Sequence, residues 1–158
     1  MFDDDILLDS DNNLIDPDDT PVLVAYNSSD PVQSKEYMKM LLNFFGERKA
    51  DDEIRMYHEL DTVYLLNSEG IYKGFIVYRT ATAKVMYVRL LGILTKYRRS
   101  GLGTEMLNLF VDQVKKEGKY TTLQLNVNGD NSAAVRLYDS IGFKTIMKAE
   151  VRKMEFKI

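Results

Sequence analysis

The sequence predicts one domain of the α/β (α+β) class, a mixed sheet flanked by helices. Three observations carry that expectation. Segments with the two-residue alternation of strands are interleaved with segments whose apolar residues recur every three or four positions, in the order β-α-(α)-β-β-β-α-β-α-β-β. With 158 residues, 45% of them hydrophobic, the chain has room for one domain with a substantial core. At its centre a continuous apolar run, Leu90-Leu91-Gly92-Ile93-Leu94, suits a strand buried on both faces, and it passes through a basic, glycine-containing turn into an amphipathic helix.

Residues 1–19 are read as an acidic N-terminal extension and 20–158 as the domain. Asp9, Asp11 and Asn13 have the spacing that opens a calcium loop, but Leu14 stands where such a loop needs glycine and Thr20 where it needs the closing Glu. A solvated acidic extension is favoured, with contact to a basic partner left open. Pro21 to Tyr26 reads as the first strand. From Ser34 to Phe45, Tyr37, Met38, Leu41, Leu42 and Phe45 share a helical face that stops at Gly46. Residues 47–61 are charged and lack a clear period; a short second helix holding Ile54, Met56 and Tyr57 fits there.

Thr62 to Leu66 and Tyr72 to Arg79 read as a hairpin around Asn67-Ser68-Glu69-Gly70. Lys84 to Leu94 is the next strand. The helix from about Gly101 carries Leu107, Phe110, Val111 and Val114 on one face, and it closes with Lys115 and Lys116 at its negative end and Gly118 as a stop. Thr121 to Val127 alternates as a half-buried strand. Asp130 or Asn131 can cap the following helix, where Ala134, Leu137, Tyr138 and Ile141 share a face before Gly142. Phe143 to Met147 and Val151 to Ile158 form a closing hairpin.

Composition removes whole classes of chemistry. There is no cysteine, which excludes disulfides, thiolate metal sites and cysteine nucleophiles among these residues. No apolar run is long enough to span a membrane, and the acidic start is the opposite of a basic signal-peptide start, so a cytoplasmic protein is expected. The net charge of −3 hides an asymmetry. Residues 1–34 hold nine Asp and no Lys, Arg or Glu, hence −9, while the rest carries 21 basic and 15 acidic residues, hence +6. A basic body suits a polyanionic ligand; without a Lys/Arg tract interleaved with aromatics, nucleic acid is not the expected partner.

The turn Lys96-Tyr97-Arg98-Arg99-Ser100-Gly101-Leu102-Gly103 is the candidate anion site. The first backbone N–H groups of the helix have no internal acceptor, the helix dipole favours negative charge there, and glycine admits a ligand close to the backbone. A dinucleotide fingerprint would need a third glycine where Met106 stands, and an acidic residue at the end of the next strand, where Asn126 and Asn128 stand. The Gly-Lys-Ser/Thr of a nucleoside-triphosphate loop is absent. A glycine-rich helix start with no ligand is the remaining structural alternative.

The pattern Arg98-x-x-Gly101-x-Gly103 after a buried strand resembles the phosphate-binding signature of the GNAT superfamily of acetyl-CoA-dependent N-acetyltransferases. Asn131-Ser-Ala-Ala-Val-Arg-Leu-Tyr138-Asp-Ser-Ile-Gly142-Phe143 resembles the family's second cofactor block, in the family's order. The resemblance covers residues 60 to 158 well, 20 to 60 loosely and the first twenty not at all. It implies a largely antiparallel mixed sheet of GNAT type, and acetyl-CoA as the acyl-donor cosubstrate with no metal. It also implies that Leu91, Gly92 and Ile93 lie beside the pantetheine arm, with the Ile93 amide facing the thioester carbonyl. Arg98, Arg99, Ser100, Gly101, Leu102, Gly103 and Thr104 would hold the pyrophosphate, largely through backbone N–H groups. Asn131 would hydrogen-bond the cofactor, cap its helix, or both.

By the same resemblance Tyr138 is the proton donor to the departing thiolate; from position alone it would be a packing tyrosine. Asn126 departs from the pattern, since many members place a Glu there as general base and an amide can only orient a water. His58, the only histidine, is expected to be an ordinary surface or loop residue, and Arg89 to point to solvent rather than to an acidic part of the acceptor. The short connection Lys148-Ala149-Glu150 tilts the expected acceptor toward a peptide, protein or polyamine amine rather than a small enclosed one. The implied protein is an N-acetyltransferase, monomer or homodimer, with a small-molecule or protein acceptor and neither nucleic acid nor membrane as partner. A GNAT-fold module that binds coenzyme A without turning it over, as a sensor or interaction domain, is the competing class.

Overall fold

A computed structural model describes residues 20–46, 49–50, 52–53 and 61–158. Seven strands, β1 (Val22–Ala25), β2 (Thr62–Ser68), β3 (Ile71–Thr82), β4 (Val85–Ile93), β5 (Thr122–Asn128), β6 (Lys144–Met147) and β7 (Val151–Lys157), form one sheet in the order β1-β2-β3-β4-β5-β7-β6. Every neighbouring pair is antiparallel except β4 and β5, which run parallel. The mixed, largely antiparallel sheet expected from sequence is therefore present. The helices are α1 (Pro31–Phe45), α2 (Leu102–Glu117) and α3 (Ser132–Ile141). Lys49, Ala50, Asp52 and Glu53 are also helical. The expected second helix over Ile54, Met56 and Tyr57 lies outside the described residues, as do His58 and the acidic extension.

Each helix is delimited by local chemistry. Helix α1 starts three residues earlier than the apolar period predicts, because Pro31 opens it and the Asp30 carboxylate accepts from the amides of Val32 and Gln33. Gly118 ends α2 in the left-handed region, its amide donating to the carbonyl of Val114, with Lys115 and Lys116 in the last turn. Asn131 caps α3 by accepting from the amide of Ala134 at 3.2 Å. Strand β3 runs on to Thr82, beyond the predicted end at Arg79, because Thr82 still pairs with Val85 across a tight connection.

Alternate residues of the strands face two cores. Leu65, Phe75 and Val77 pack with Tyr37, Met40 and Leu41 of α1. On the other face Leu66, Ile76, Met86, Val88, Leu123 and Leu125 pack with Met106, Leu107, Phe110, Val111 and Val114 of α2, and Leu137 and Tyr138 of α3 join that cluster. Burying each of these large apolar side chains contributes about 1.5–3 kcal/mol.

Gly92 of β4 lies against the aromatic rings of the first core. A Cβ there would sit 2.7 Å from the Phe44 ring and 2.8 Å from that of Phe75. Phe75 is fully buried and cannot swing away. Gly92→Ala is expected to lower stability by about 1–3 kcal/mol, the usual cost of overpacking, read as a fall in the urea midpoint. An unchanged midpoint would mean the rings yield freely.

Candidate active site

The site begins with a fault in the register of β4. Val77 of β3 pairs with Leu90, yet Tyr78 pairs with Val88, so Arg89 is an extra residue on β4. Such a bulge bends the strand that carries it. The parallel pairing of β4 with β5 stops at the same place, the last partners being Val88 and Leu125. Beyond it, Leu90 to Ile93 keep β3 on one side and Asn126 to Asn128 keep β7, but the two segments do not pair with each other. The sheet therefore opens into a wedge whose walls are backbone.

The basic turn closes the end of this wedge. Residues 95–97 form a short 3-10 helix, and Arg98 donates its Nε to the carbonyl of Ile93 at 3.0 Å, tying the turn to the end of β4. Ser100 donates to the carbonyl of Tyr97. Arg99 and Gly101 both have positive φ, 65° and 80°, and Gly101 is the residue before α2. At Gly101 the left-handed backbone favours glycine for conformation alone. Gly103 is different: its φ is ordinary, and a Cβ there would meet Leu137 at 3.6 Å and Ile93 at 4.0 Å, both ordinary contacts. A Cβ would therefore strain the turn's own backbone at Gly101 but not at Gly103.

The same contact shows that the two sequence blocks meet: Gly103 of the first lies beside Leu137 of the second. Leu91, Ile93, Leu102 and Tyr138 pack in one cluster. The Tyr138 ring lies 5.9 Å from that of Phe143, and burial pushes its phenol above the usual tyrosine range. Asn131 has its carbonyl engaged as the cap of α3. Thr104 lies exposed in the first turn of α2.

Asn126 sits apart from Tyr138, on the opposite face of the sheet. It is exposed at the mouth of the wedge, one residue past the last β4–β5 pair, and its Nδ2 donates to the Tyr87 hydroxyl at 3.3 Å. Asn126 thus holds no carboxylate partner here; its hydrogen-bonded neighbour is a phenol.

Arg89 corrects the expectation that it points to solvent. The bulge turns it toward α1, where its guanidinium donates to Asp61 at 2.6 and 3.0 Å and to Glu53. Arg79 also pairs with Asp61 at 2.8 Å. Arg89, Asp61 and Glu53, with Tyr26 and Tyr37, line a cavity of about 300 Å³ beside the bulge. Burial and then the Glu53 charge raise the Tyr37 phenol. Neither carboxylate was singled out from sequence, since each lies far along the chain from Arg89; the apolar-to-charged change at Glu59-Leu60-Asp61 is too common to mark a partner. Among the described residues no cluster of His, Asp or Glu is placed to hold a metal, and no helix is long and apolar enough to cross a membrane.

The profile of the acetyltransferase (GNAT) family matches residues 30–143. N-alpha-acetyltransferase 50 of Danio rerio is 36% identical over 74 residues, 47% of this chain and 42% of that protein. The [ribosomal protein bS18]-alanine N-acetyltransferase of Escherichia coli strain K12 is 45% identical over 47 residues, 30% of this chain and 31% of that protein. The matches span less than half the length of these relatives. Among solved structures, the Escherichia coli ribosomal-protein-S18-alanine N-acetyltransferase superposes with a TM-score of 0.72 at 18% identity, covering 88% of this chain and 94% of that one. A GNAT family acetyltransferase from Elizabethkingia anophelis with acetyl-CoA bound superposes at 0.69 and 12% identity, covering 89% and 99%. At these identities the superpositions establish a shared fold.

The ion cluster yields a stability test. Asp61 has a side chain only 3% exposed and two arginines on it. Asp61→Asn is expected to cost about 3 kcal/mol, the low end for breaking a buried pair, because Arg79 is partly exposed and can turn to water. The readout is chemical denaturation at neutral pH; a loss under 0.5 kcal/mol would show that the cluster does not hold the bulge.

Proposed function

The chain belongs to the acetyltransferase (GNAT) family, and from that premise we propose that it moves an acetyl group from acetyl-CoA to a protein or peptide amine by direct attack in a ternary complex. The observation that carries the reading is the wedge between β4 and β5, whose unpaired backbone ends at a basic turn feeding the N-terminus of α2. An extended amide-bearing arm can pair with such an edge, and a pyrophosphate with such a turn. In this reading Leu91, Gly92 and Ile93 flank the pantetheine and the Ile93 amide faces the thioester carbonyl. Arg98 to Thr104 hold the pyrophosphate, and Asn131 and Tyr138 contact the cofactor from α3. Residues 20–158 form the transferase domain, with 1–19 an acidic extension. The relative named as a ribosomal-protein alanine N-acetyltransferase, beside one named as an N-alpha-acetyltransferase, supports a protein acceptor.

The chemistry balances without a covalent enzyme intermediate, and there is no cysteine to form one. The incoming ammonium first releases one proton to water. The neutral amine nitrogen then bonds to the thioester carbon, the C–S bond breaks, and the second proton lost by the nitrogen balances the one gained by the thiolate. A partly buried, upward-shifted Tyr138 stays protonated through neutral pH and serves as a hydrogen-bond donor to the sulfur as charge develops. Asn126, with Tyr87, faces the acceptor side and orients a water rather than taking the proton. The amide at 126 is also what favours a second reading, a coenzyme A-binding module without turnover. Acceptor-dependent thiol release from acetyl-CoA, measured across a panel of amine-bearing peptides, separates the two.

Tyr138→Phe keeps the ring and removes only the hydroxyl. Turnover is expected to fall about 10² to 10⁴-fold, the range of a general acid, while acetyl-CoA affinity by calorimetry is retained. Turnover within twofold of the parent would return Tyr138 to a packing role.

The pH profile tests Asn126. A primary alkyl amine, with a pKa of about 10.4 if it behaves like lysine, must shed a proton before it attacks. With no tuned base and chemistry limiting, the rate for such an acceptor is expected to rise about tenfold per pH unit through neutrality. Asn126→Glu is expected to raise activity most at low pH and flatten that slope. A parent profile that is already flat from about pH 7 would place a base elsewhere in the protein.

A further inference from the structure

A second polar cavity, of about 370 Å³, opens on the flank of the basic turn away from the wedge. No residue of β5 or α3 lines it; its walls come from the β2–β3 hairpin, the turn, Pro21 and the first turn of α2. Three cations converge there, Lys73, Lys96 and Arg98, against the two carboxylates of Glu69 and Glu105.

Lys73 is the unusual member. It is only 7% exposed, and a buried ammonium needs close partners to offset lost hydration. Among the described residues its partners are all distant: the Ser68 hydroxyl at 3.4 Å, the Glu69 carboxylate at 3.8 Å and the Tyr97 ring centroid at 4.9 Å. Glu69 is a surface partner, its side chain 60% exposed, and such a bridge is worth little. The Tyr97 ring also has Lys96 at 5.0 Å, so one aromatic draws two ammonium groups toward the same cavity. Arg98 uses its Nε on Ile93, which fixes the guanidinium at the cavity wall.

We infer that this cavity binds a phosphate dianion, separately from the turn's backbone amides. A dianion carries twice the charge of the Glu69 carboxylate, and its several oxygens can accept from two ammonium groups and a guanidinium together. Glu69 swings out to water when it enters. The dianion is either free phosphate or the ribose phosphate of a bound acyl donor. The inference does not depend on acetyl transfer, since inorganic phosphate alone probes it.

The test titrates the full chain with inorganic phosphate, followed by ³¹P line broadening at constant ionic strength in chloride. Saturable binding is expected. Lys73→Met, which keeps the apolar stem, should weaken it at least tenfold, and Lys73→Arg should restore most of it. Lys96→Gln, at an exposed position that does not endanger folding, should weaken it severalfold. Acetyl-CoA and its 3′-dephospho analogue then identify the source. If the ribose phosphate is the occupant, acetyl-CoA displaces inorganic phosphate and Lys96→Gln weakens acetyl-CoA but not the analogue. If free phosphate is the occupant, it still binds the donor-saturated protein. The inference is overturned if the parent shows no saturable binding. Affinity unchanged in both lysine variants would also overturn it, as would binding lost only in Gly101→Val, which would put the phosphate on the turn's amides.

Discussion

The structure depends on β4 leaving β5 after Val88. Had the parallel pairing continued, Arg89 to Ile93 would have spent their remaining backbone groups on β5, and the sheet would be closed and featureless there. The extra residue at Arg89 bends the strand away, and the backbone groups along both walls of the wedge then need partners from water or from a bound chain. A sheet tolerates that loss only where something holds the bend. Here Arg89 is fixed by Asp61 at the entrance to β2 and by Glu53, and Gly92 lets the rings of Phe44 and Phe75 press against the bent strand. One charge cluster and one missing side chain thus maintain the opening.

The bend also divides labour between the faces of the sheet. On the α2–α3 side the residues around the wedge are apolar: Leu91, Ile93, Leu102 and Leu137, with Tyr138 among them. On the other side Tyr87, Asn126 and Arg89 are polar. A group passing through the wedge would be desolvated on one face and hydrogen-bonded on the other. The Arg98–Ile93 contact couples the two ends, because it anchors the basic turn to the last residue of the bent strand.

Much of the fold was legible because its signals are local. The stripe Leu107, Phe110, Val111, Val114, the cap at Asn131 and the glycine stops each act within one helix, and the seven strands in chain order follow from alternation and turns. The start of α1 was missed by three residues because the apolar period was weighed above the Asp30-Pro31 start signal. The turn was legible for the same reason, its glycines and arginines being adjacent in sequence. What sequence could not show was the partnership of Arg89 with Asp61, 28 residues away, or of Lys73 with Tyr97. Those pairings exist only once hairpins and helices have packed, and a lone Arg on a strand looks solvent-facing until the bulge turns it inward.

The half of the sheet formed by β5, β7 and β6 bears on the acceptor. Asn126 pairs with Lys153 and Asn128 with Val151, and Met147 lies across from Lys153. Asn126, Asn128, Met147 and Val151 are all exposed, and only residues 148–150 join β6 to β7. Among the described residues nothing covers this surface. A small amine would find little enclosure on it and would gain little from burial. An extended chain can lay several residues across it at once, with its amine at the mouth of the wedge and an apolar side chain against Met147 and Val151. Selectivity on such a surface has to come from a few side chains and from charge rather than from the walls of a pocket, which is why the acceptor proposed above is a protein or peptide end.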